Sequence, residues 1–90
     1  MLTKNFRITL DSGLYAKPAT ELITCAMDFS CEILLEAFKK EIDFKSIMGV
    51  LSLGIYGGTT ICIKTNGIDE SEAMQTITKK IYELRLGTEA

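Results

Sequence analysis

Two short segments of the chain carry residues suited to holding or accepting a phosphate. The first is DSGLYAKPAT, residues 11–20, in which a turn leads through Tyr15 and Lys17 to the only proline, Pro18. Proline fits the first turn of a helix, where its missing N–H would be unpaired in any case. The free N–H groups of a helix start favour an anion, and Lys17 adds a positive charge. Pro18 is also typical of an ordinary helix start, so both interpretations stay open.

The second segment is KSIMGVLSLG, residues 45–54, which contains a serine suited to accept a phosphate. Ser46 is a natural N-cap for a short helix, whose exposed face would include Ile47, Met48 and Leu51. A phosphate on Ser46 would place about 1.5 to 2 negative charges beside this apolar patch, which would make a partner switch. The alternative is a plain capping serine over a small core helix.

Composition limits the classes of protein that this chain can be. Its 90 residues, 47% of them hydrophobic, predict a single packed domain over 1–90. The net charge of −2 argues against a nucleic-acid partner, which would favour a basic surface. No apolar run approaches a membrane span, and no signal-peptide pattern opens the chain. We therefore expect a soluble cytoplasmic protein without a membrane partner.

The three cysteines, Cys25, Cys31 and Cys62, form no C-x-x-C pair, and the chain has no histidine. A zinc site is therefore not expected, and neither is any other metal or cofactor. The odd number argues against a disulfide scaffold. We expect small, buried or half-buried thiols in a reducing compartment.

Hydrophobic periodicity predicts seven elements in the order β-α-β-β-α-β-α. In residues 5–10 apolar and polar residues alternate, which is typical of a half-buried strand. This order predicts an α+β fold with a mostly antiparallel sheet and helices on one face. The other predicted elements are strands at 31–38, 41–44 and 59–65, a turn at Lys39 and Lys40, and helices at 17–28, at 46–54 ending at Gly54, and from Asp69 to near Gly87.

The first and the last of the three predicted helices each carry an apolar stripe. In the last helix, Asp69 and Glu72 have the spacing of a capping box. The expected core positions are Leu22, Ile23, Ala26 and Met27 in the first helix and Met74, Ile77, Ile81 and Leu84 in the last.

Taken together, the two phosphate-suited segments closely resemble the HPr family, the small phosphocarriers of the bacterial sugar phosphotransferase system. DSGLYAKPAT resembles the active-centre loop, FKSIMGVLSLGI the regulatory-serine segment, and DESEAM the start of the last helix. The resemblance covers essentially the whole chain. It implies an open-faced β-sandwich with four antiparallel strands and three helices on one side.

The active-centre loop departs from the family pattern at two positions. Family members use a histidine there to accept phosphate from enzyme I and pass it to sugar permeases, with an arginine two residues later. Tyr15 stands at the histidine position and Lys17 at the arginine position. A tyrosine phosphate is a stable ester, and a phenol is a poor nucleophile without a nearby base. Lysine also lacks the bidentate fork of arginine.

A lost histidine beside an intact serine segment resembles the catabolite-repression HPr-like members of the family in Gram-positive bacteria. Those members are phosphorylated on the serine by HPr kinase/phosphorylase and then bind catabolite control protein A. The resemblance implies Ser46 as the phosphoacceptor. It further implies a docking patch of Ile47, Met48, Gly49 and Leu51, with Tyr15, Lys17 and Thr20 on the adjoining surface.

Three functions follow from these residues. The leading hypothesis is a non-enzymatic HPr-like regulatory adaptor switched at Ser46. The first alternative is a phosphocarrier of the phosphoenolpyruvate-dependent sugar phosphotransferase system, or an active-site variant of one, with enzyme I and sugar permease domains as partners. The second is an HPr-like domain that binds a partner without any phosphorylation.

Overall fold

A computed structural model describes residues 1–90 as an antiparallel sheet with three helices packed on one face. The strands lie in the order β3-β2-β4-β1-β5, and every neighbouring pair is antiparallel. The strands are β1 (Leu2–Ile8), β2 (Glu32–Ala37), β3 (Lys40–Asp43), β4 (Thr60–Asn66) and β5 (Gly87–Glu89), and the helices are α1 (Ala16–Ala26), α2 (Ile47–Ser52) and α3 (Glu70–Glu83).

The sheet has five strands, so the prediction of four is wrong. Helix α3 ends at Glu83 rather than near Gly87, because Arg85 takes a left-handed φ of 53° and turns the chain back towards β1. The three residues of β5 then pair along the outer edge of β1, where Gly87 lies opposite Ile8. A strand this short is stabilised by its neighbour and has no hydrophobic period of its own.

The core lies between the sheet and the helices. Alternate residues of the strands face the helices, and the intervening ones face the open side of the sheet. The prediction that Met27 faces the core is wrong. Met27 is the C-cap of α1, and its side chain is 63% exposed beyond the packed layer. The buried positions include Phe6, Ile8, Ile33, Leu35, Ile61 and Ile63 of the sheet, Leu22, Ile23 and Ala26 of α1, and Met74, Ile77 and Ile81 of α3.

The predicted capping box at the start of α3 is also wrong. Asp69 is the N-cap residue, but its side chain makes no capping hydrogen bond. Its carboxylate instead accepts backbone N–H bonds from Ser30 and Cys31, both at 2.9 Å. The Glu70 side chain accepts the N–H of Gly67 at 3.1 Å. The Asp69 carboxylate therefore ties α3 to the loop before β2, a contact that local spacing does not indicate.

The cysteines are placed as the sequence predicts. Cys31 is buried, Cys25 and Cys62 are half-buried, and all three are unpaired. None of the three helices combines the length and apolar character needed to cross a bilayer.

Candidate functional site

The loop between β1 and α1 is held against the segment that follows α2. Gly13 has a φ of 68°, and any side chain there would collide with the carbonyl oxygen of Ile55. The N–H of Leu14 donates to that same oxygen at 3.0 Å. Glycine is therefore needed at this position both for its backbone angle and for the close approach. The contact positions the start of α1 beside the end of α2.

Tyr15 is the N-cap residue of α1, and its side chain is 47% exposed. Its backbone is extended and its carbonyl accepts the N–H of Ala19 at 3.0 Å, but the phenol makes no capping hydrogen bond. The first-turn N–H groups of Ala16 and Lys17 therefore have no acceptor within the protein. Pro18 lies in the first turn as predicted, and it is buried.

A shallow pocket of about 240 Å³ opens at the start of α1. Tyr15 and Lys17 line it together with Glu21, a residue that the sequence reasoning missed. The available signal was spacing, because residues four apart on a helix share a face. Neither Lys17 nor Glu21 forms an ion pair. The remaining walls are apolar and come from Leu10, Pro18 and Leu84.

Thr20, the third residue predicted on this surface, is exposed but does not line the pocket. Its hydroxyl donates to the carbonyl oxygen of Ala16 at 2.7 Å, inside α1. Thr20 therefore belongs to the exposed side of the helix, next to the pocket and outside it.

Ser46 caps α2, as the sequence predicts. Its Oγ accepts the backbone N–H of Gly49 at 3.2 Å, and its own carbonyl accepts the N–H of Val50 at 3.0 Å. The helix ends at Ser52, and Gly54 follows with a φ of 63°, which suits a helix stop. The serine is half-buried, so part of the residue is accessible to solvent while its hydroxyl accepts the capping hydrogen bond.

Helix α2 exposes the predicted apolar residues. The exposed fractions are 36% for Ile47, 77% for Met48 and 38% for Leu51, whereas Val50 is buried and anchors the helix. Gly49 is half-buried and packs towards the side chain of Ile42 in β3. We call Ile47, Met48 and Leu51 the α2 patch. It lies immediately after Ser46 in the first two turns of the helix.

Lys45 is engaged within the fold, although it precedes Ser46 directly. Its Nζ donates to the carbonyl oxygens of Phe29 at 2.6 Å and Cys31 at 3.0 Å. The Asp69 carboxylate binds the N–H groups of the same loop, and the Ser30 N–H above all lowers the pKa of Asp69. The Lys45 ammonium, from the turn between β3 and α2, and the Asp69 carboxylate, at the N-cap of α3, thus hold the loop before β2.

A second feature that sequence reasoning missed lies at the β2–β3 turn. Phe38 and Lys39 both take left-handed φ values, 54° and 63°. The turn was predicted at Lys39 and Lys40, one residue too late. The Phe38 ring stacks on Tyr56 with the centroids 5.7 Å apart. The stack holds the hairpin tip against the segment that also receives the Gly13 loop.

An antiparallel sheet covered on one face by three helices, with an open helix start and a serine-capped helix, defines the class of small open-faced β-sandwich proteins. The chain belongs to the HPr family, since the family model described as the PTS HPr component phosphorylation site matches residues 2–83.

Solved structures agree with this assignment. A histidine-containing phosphocarrier protein of Mycoplasma is 35% identical, with a TM-score of 0.93, and the match covers 96% of this chain and 98% of that one. The phosphocarrier protein HPr of Bacillus anthracis is also 35% identical, with a TM-score of 0.81 over 88% and 94% of the two chains. The catabolite-repression protein Crh of Bacillus subtilis, described as a domain-swapped dimer, is 32% identical, with a TM-score of 0.72 over 92% and 95%.

Proposed function

We propose that this protein is an HPr-like regulatory adaptor of the sugar phosphotransferase system and of carbon catabolite repression, switched by phosphorylation of Ser46. One conjunction of features carries the proposal. The chain has no histidine, and Tyr15 occupies the start of α1. At the same time Ser46 caps α2 beside three exposed apolar side chains. The site for relay has lost its nucleophile, whereas the site for regulation is intact.

The chemistry of Tyr15 argues against a phosphoryl relay. A phosphoimidazole is a reactive phosphoramidate that can pass its phosphoryl group onward, whereas an aryl phosphate ester is stable. A phenol also needs a nearby base to act as a nucleophile, and no hydrogen bond joins the Tyr15 hydroxyl to such a group in this fold. Lys17 supplies one positive charge without the bidentate geometry of arginine. Transfer from Tyr15 to a sugar permease would therefore stall.

Phosphorylation of Ser46 would change the surface more than the fold. The Oγ atom already lies at the helix start and accepts the Gly49 N–H, so the ester would form at the positive end of the helix, where a phosphate is tolerated. The new charge would border Ile47, Met48 and Leu51. A partner with an apolar groove and a nearby arginine or lysine would recognise both features at once.

The partners that suit this switch are HPr kinase/phosphorylase, which would modify Ser46, and catabolite control protein A, which would read the modified surface. Tyr15, Lys17 and Thr20 would form the adjoining part of the interface, because the Gly13 loop holds the start of α1 beside the end of α2. The protein would then act by binding and would catalyse no reaction.

The test is calorimetric titration of the phosphorylated and unmodified proteins into catabolite control protein A. One or two charge-assisted hydrogen bonds contribute about 1.5 to 3 kcal/mol each, so phosphorylation should lower the Kd about tenfold or more. Ser52→Ala is the matched control, because Ser52 is an exposed serine in the same helix. Equal affinity of the two forms, or a kinase that leaves Ser46 unmodified, would reject the proposal. Tight binding without phosphorylation would favour the phosphate-independent alternative.

A further inference from the structure

Glu21 brings a carboxylate into the pocket where the family resemblance implies that phosphate is handled. We propose that Glu21 is a specificity-determining residue that keeps phosphate out of the Tyr15 pocket. The inference deepens the proposed function, because it gives the pocket a second barrier to phosphoryl transfer besides the missing histidine. It concerns only α1 and its surroundings, and does not depend on Ser46.

The geometry of α1 puts Lys17 and Glu21 on one face of the helix, four residues apart, and both line the pocket with Tyr15. Lys17 is exposed, whereas Glu21 is half-buried and so more restricted in where its charge can go. No lysine or arginine lies within ion-pairing distance of the Glu21 carboxylate. The Glu21 carboxylate therefore has no ion-pair partner, and Lys17 is the only other charged residue that lines the same pocket.

The pocket walls add no charge of their own. Leu10, Pro18 and Leu84 are apolar, and they offer a phosphate neither a positive charge nor a side-chain hydrogen bond. A phosphate entering the pocket would meet two attractive features, the Lys17 ammonium and the free N–H groups of the first turn. Glu21 cancels the charge of Lys17 at the same site. The pocket is thus close to neutral overall and favours an uncharged group over a dianion.

The test measures binding of inorganic phosphate to the intact chain. Two-dimensional NMR would follow the amide signals of Ala16 and Lys17, whose N–H groups are free, during titration of the parent and of Glu21→Gln. We expect Glu21→Gln to bind phosphate about tenfold more tightly, which corresponds to 1.4 kcal/mol. Glu21→Asp keeps the charge and should bind no better than the parent. Glu72→Gln, on the exposed first turn of α3, controls for net charge.

Two results would overturn the inference: equal phosphate affinity of Glu21→Gln and the parent, whether both bind or neither does, or an equal gain from Glu72→Gln. Glu21→Ala repeats the measurement with a second neutral side chain, and the dispersion of each spectrum reports whether the variant is folded. None of these arms uses the kinase or catabolite control protein A. Failure here would leave the Ser46 switch standing, and failure of the Ser46 switch would not alter the phosphate titration.

Phosphoryl transfer provides a second readout. This experiment uses the double variant Tyr15→His/Lys17→Arg as its background. In that protein, a phosphoryl group leaves phosphorylated enzyme I and bonds to a nitrogen of the introduced imidazole. Adding Glu21→Gln should raise the initial rate of acid-labile phosphate gain about tenfold, and adding Glu72→Gln should not. If the double variant gains phosphate as fast without Glu21→Gln as with it, the result contradicts the proposal.

Discussion

The Oγ atom of Ser46 accepts the backbone N–H of Gly49 at 3.2 Å and thereby caps α2 beside the exposed side chain of Met48. The same hydroxyl that stabilises the helix start is the proposed phosphoacceptor. The helix cap and the proposed phosphorylation therefore depend on the same oxygen atom, so substitutions of Ser46 affect both.

Replacing Ser46 by alanine should have two separable effects. Loss of the cap should cost about 1 kcal/mol of unfolding free energy, measured by urea denaturation. Modification by HPr kinase/phosphorylase should disappear, as followed by mass spectrometry. Ser46→Asp should keep the cap but imitate the phosphate poorly, because it supplies one charge and two oxygens. If the kinase still modifies Ser46→Ala, another residue is the phosphoacceptor.

Met48 should matter for docking and not for stability. Its side chain is 77% exposed, so Met48→Ala should leave the unfolding free energy within about 0.5 kcal/mol of the parent. The affinity of the phosphorylated protein for catabolite control protein A should fall. Val50→Ala is the contrasting variant, because Val50 is buried in the same helix and its truncation should cost about 2 kcal/mol. An unchanged affinity for Met48→Ala would remove Met48 from the interface.

The parent protein should gain no acid-labile phosphate from enzyme I and phosphoenolpyruvate, because it has no histidine. Tyr15→His should give partial carrier activity, since the helix start beside it retains its free N–H groups, and adding Lys17→Arg should raise that activity. Intact-mass measurement after short incubations checks all three proteins. Stoichiometric phosphate on the parent that passes to a permease domain would instead support the carrier alternative.

The hydrogen bonds that the Asp69 carboxylate accepts from the loop before β2 predict a pH dependence of stability. Hydrogen bonds to its carboxylate, first from the Ser30 N–H, hold the pKa of Asp69 below its ordinary value of 3.8 in the folded state. The carboxylate therefore stabilises the fold above that ordinary pKa, and this contribution is lost as the pH falls through the lower folded value. Asp69→Asn should reduce stability at pH 7 and flatten the acid side of the profile in urea titrations. Asp28→Asn removes an exposed carboxylate that accepts no hydrogen bond and serves as the control for the loss of one negative charge.

The hairpin tip predicts a stabilising substitution. Lys39 takes a φ of 63°, a region that costs most residues about 1 to 2 kcal/mol and that glycine adopts freely. Lys39→Gly leaves the Phe38–Tyr56 stack in place and should raise the unfolding free energy by up to about 1 kcal/mol. Lys40→Gly makes the same chemical change at the start of β3 and should destabilise the protein. Equal losses in both variants would show that the turn is not strained at Lys39.

Features that depend on neighbours in sequence could be predicted. The alternation in β1 placed Phe6 and Ile8 in the core, and the pattern around Ser46 predicted both its cap and the exposed side of α2. The segments that carry the family resemblance are also continuous in sequence. In each case the information is contained within one or two turns of helix, or within a few residues of strand.

Contacts between distant segments were decided only by the tertiary structure. The edge of β1 makes a strand of residues 87–89, although three residues have no stable conformation alone. The Asp69 carboxylate reaches a loop 38 residues away, so hydrogen bonds from the N–H groups of Ser30 and Cys31 replace its capping role. Glu21 lines a pocket only because the fold places Leu10 and Leu84, from distant parts of the chain, beside α1. The sequence by itself determined every helix and strand except β5, the absent histidine and the serine-capped helix, because these are local. Packing decides the remaining features, because it brings together residues that no short-range pattern connects. These features are the pairing of β5 with β1, the hydrogen bonds of Asp69 to the loop before β2, and the place of Glu21 in the pocket.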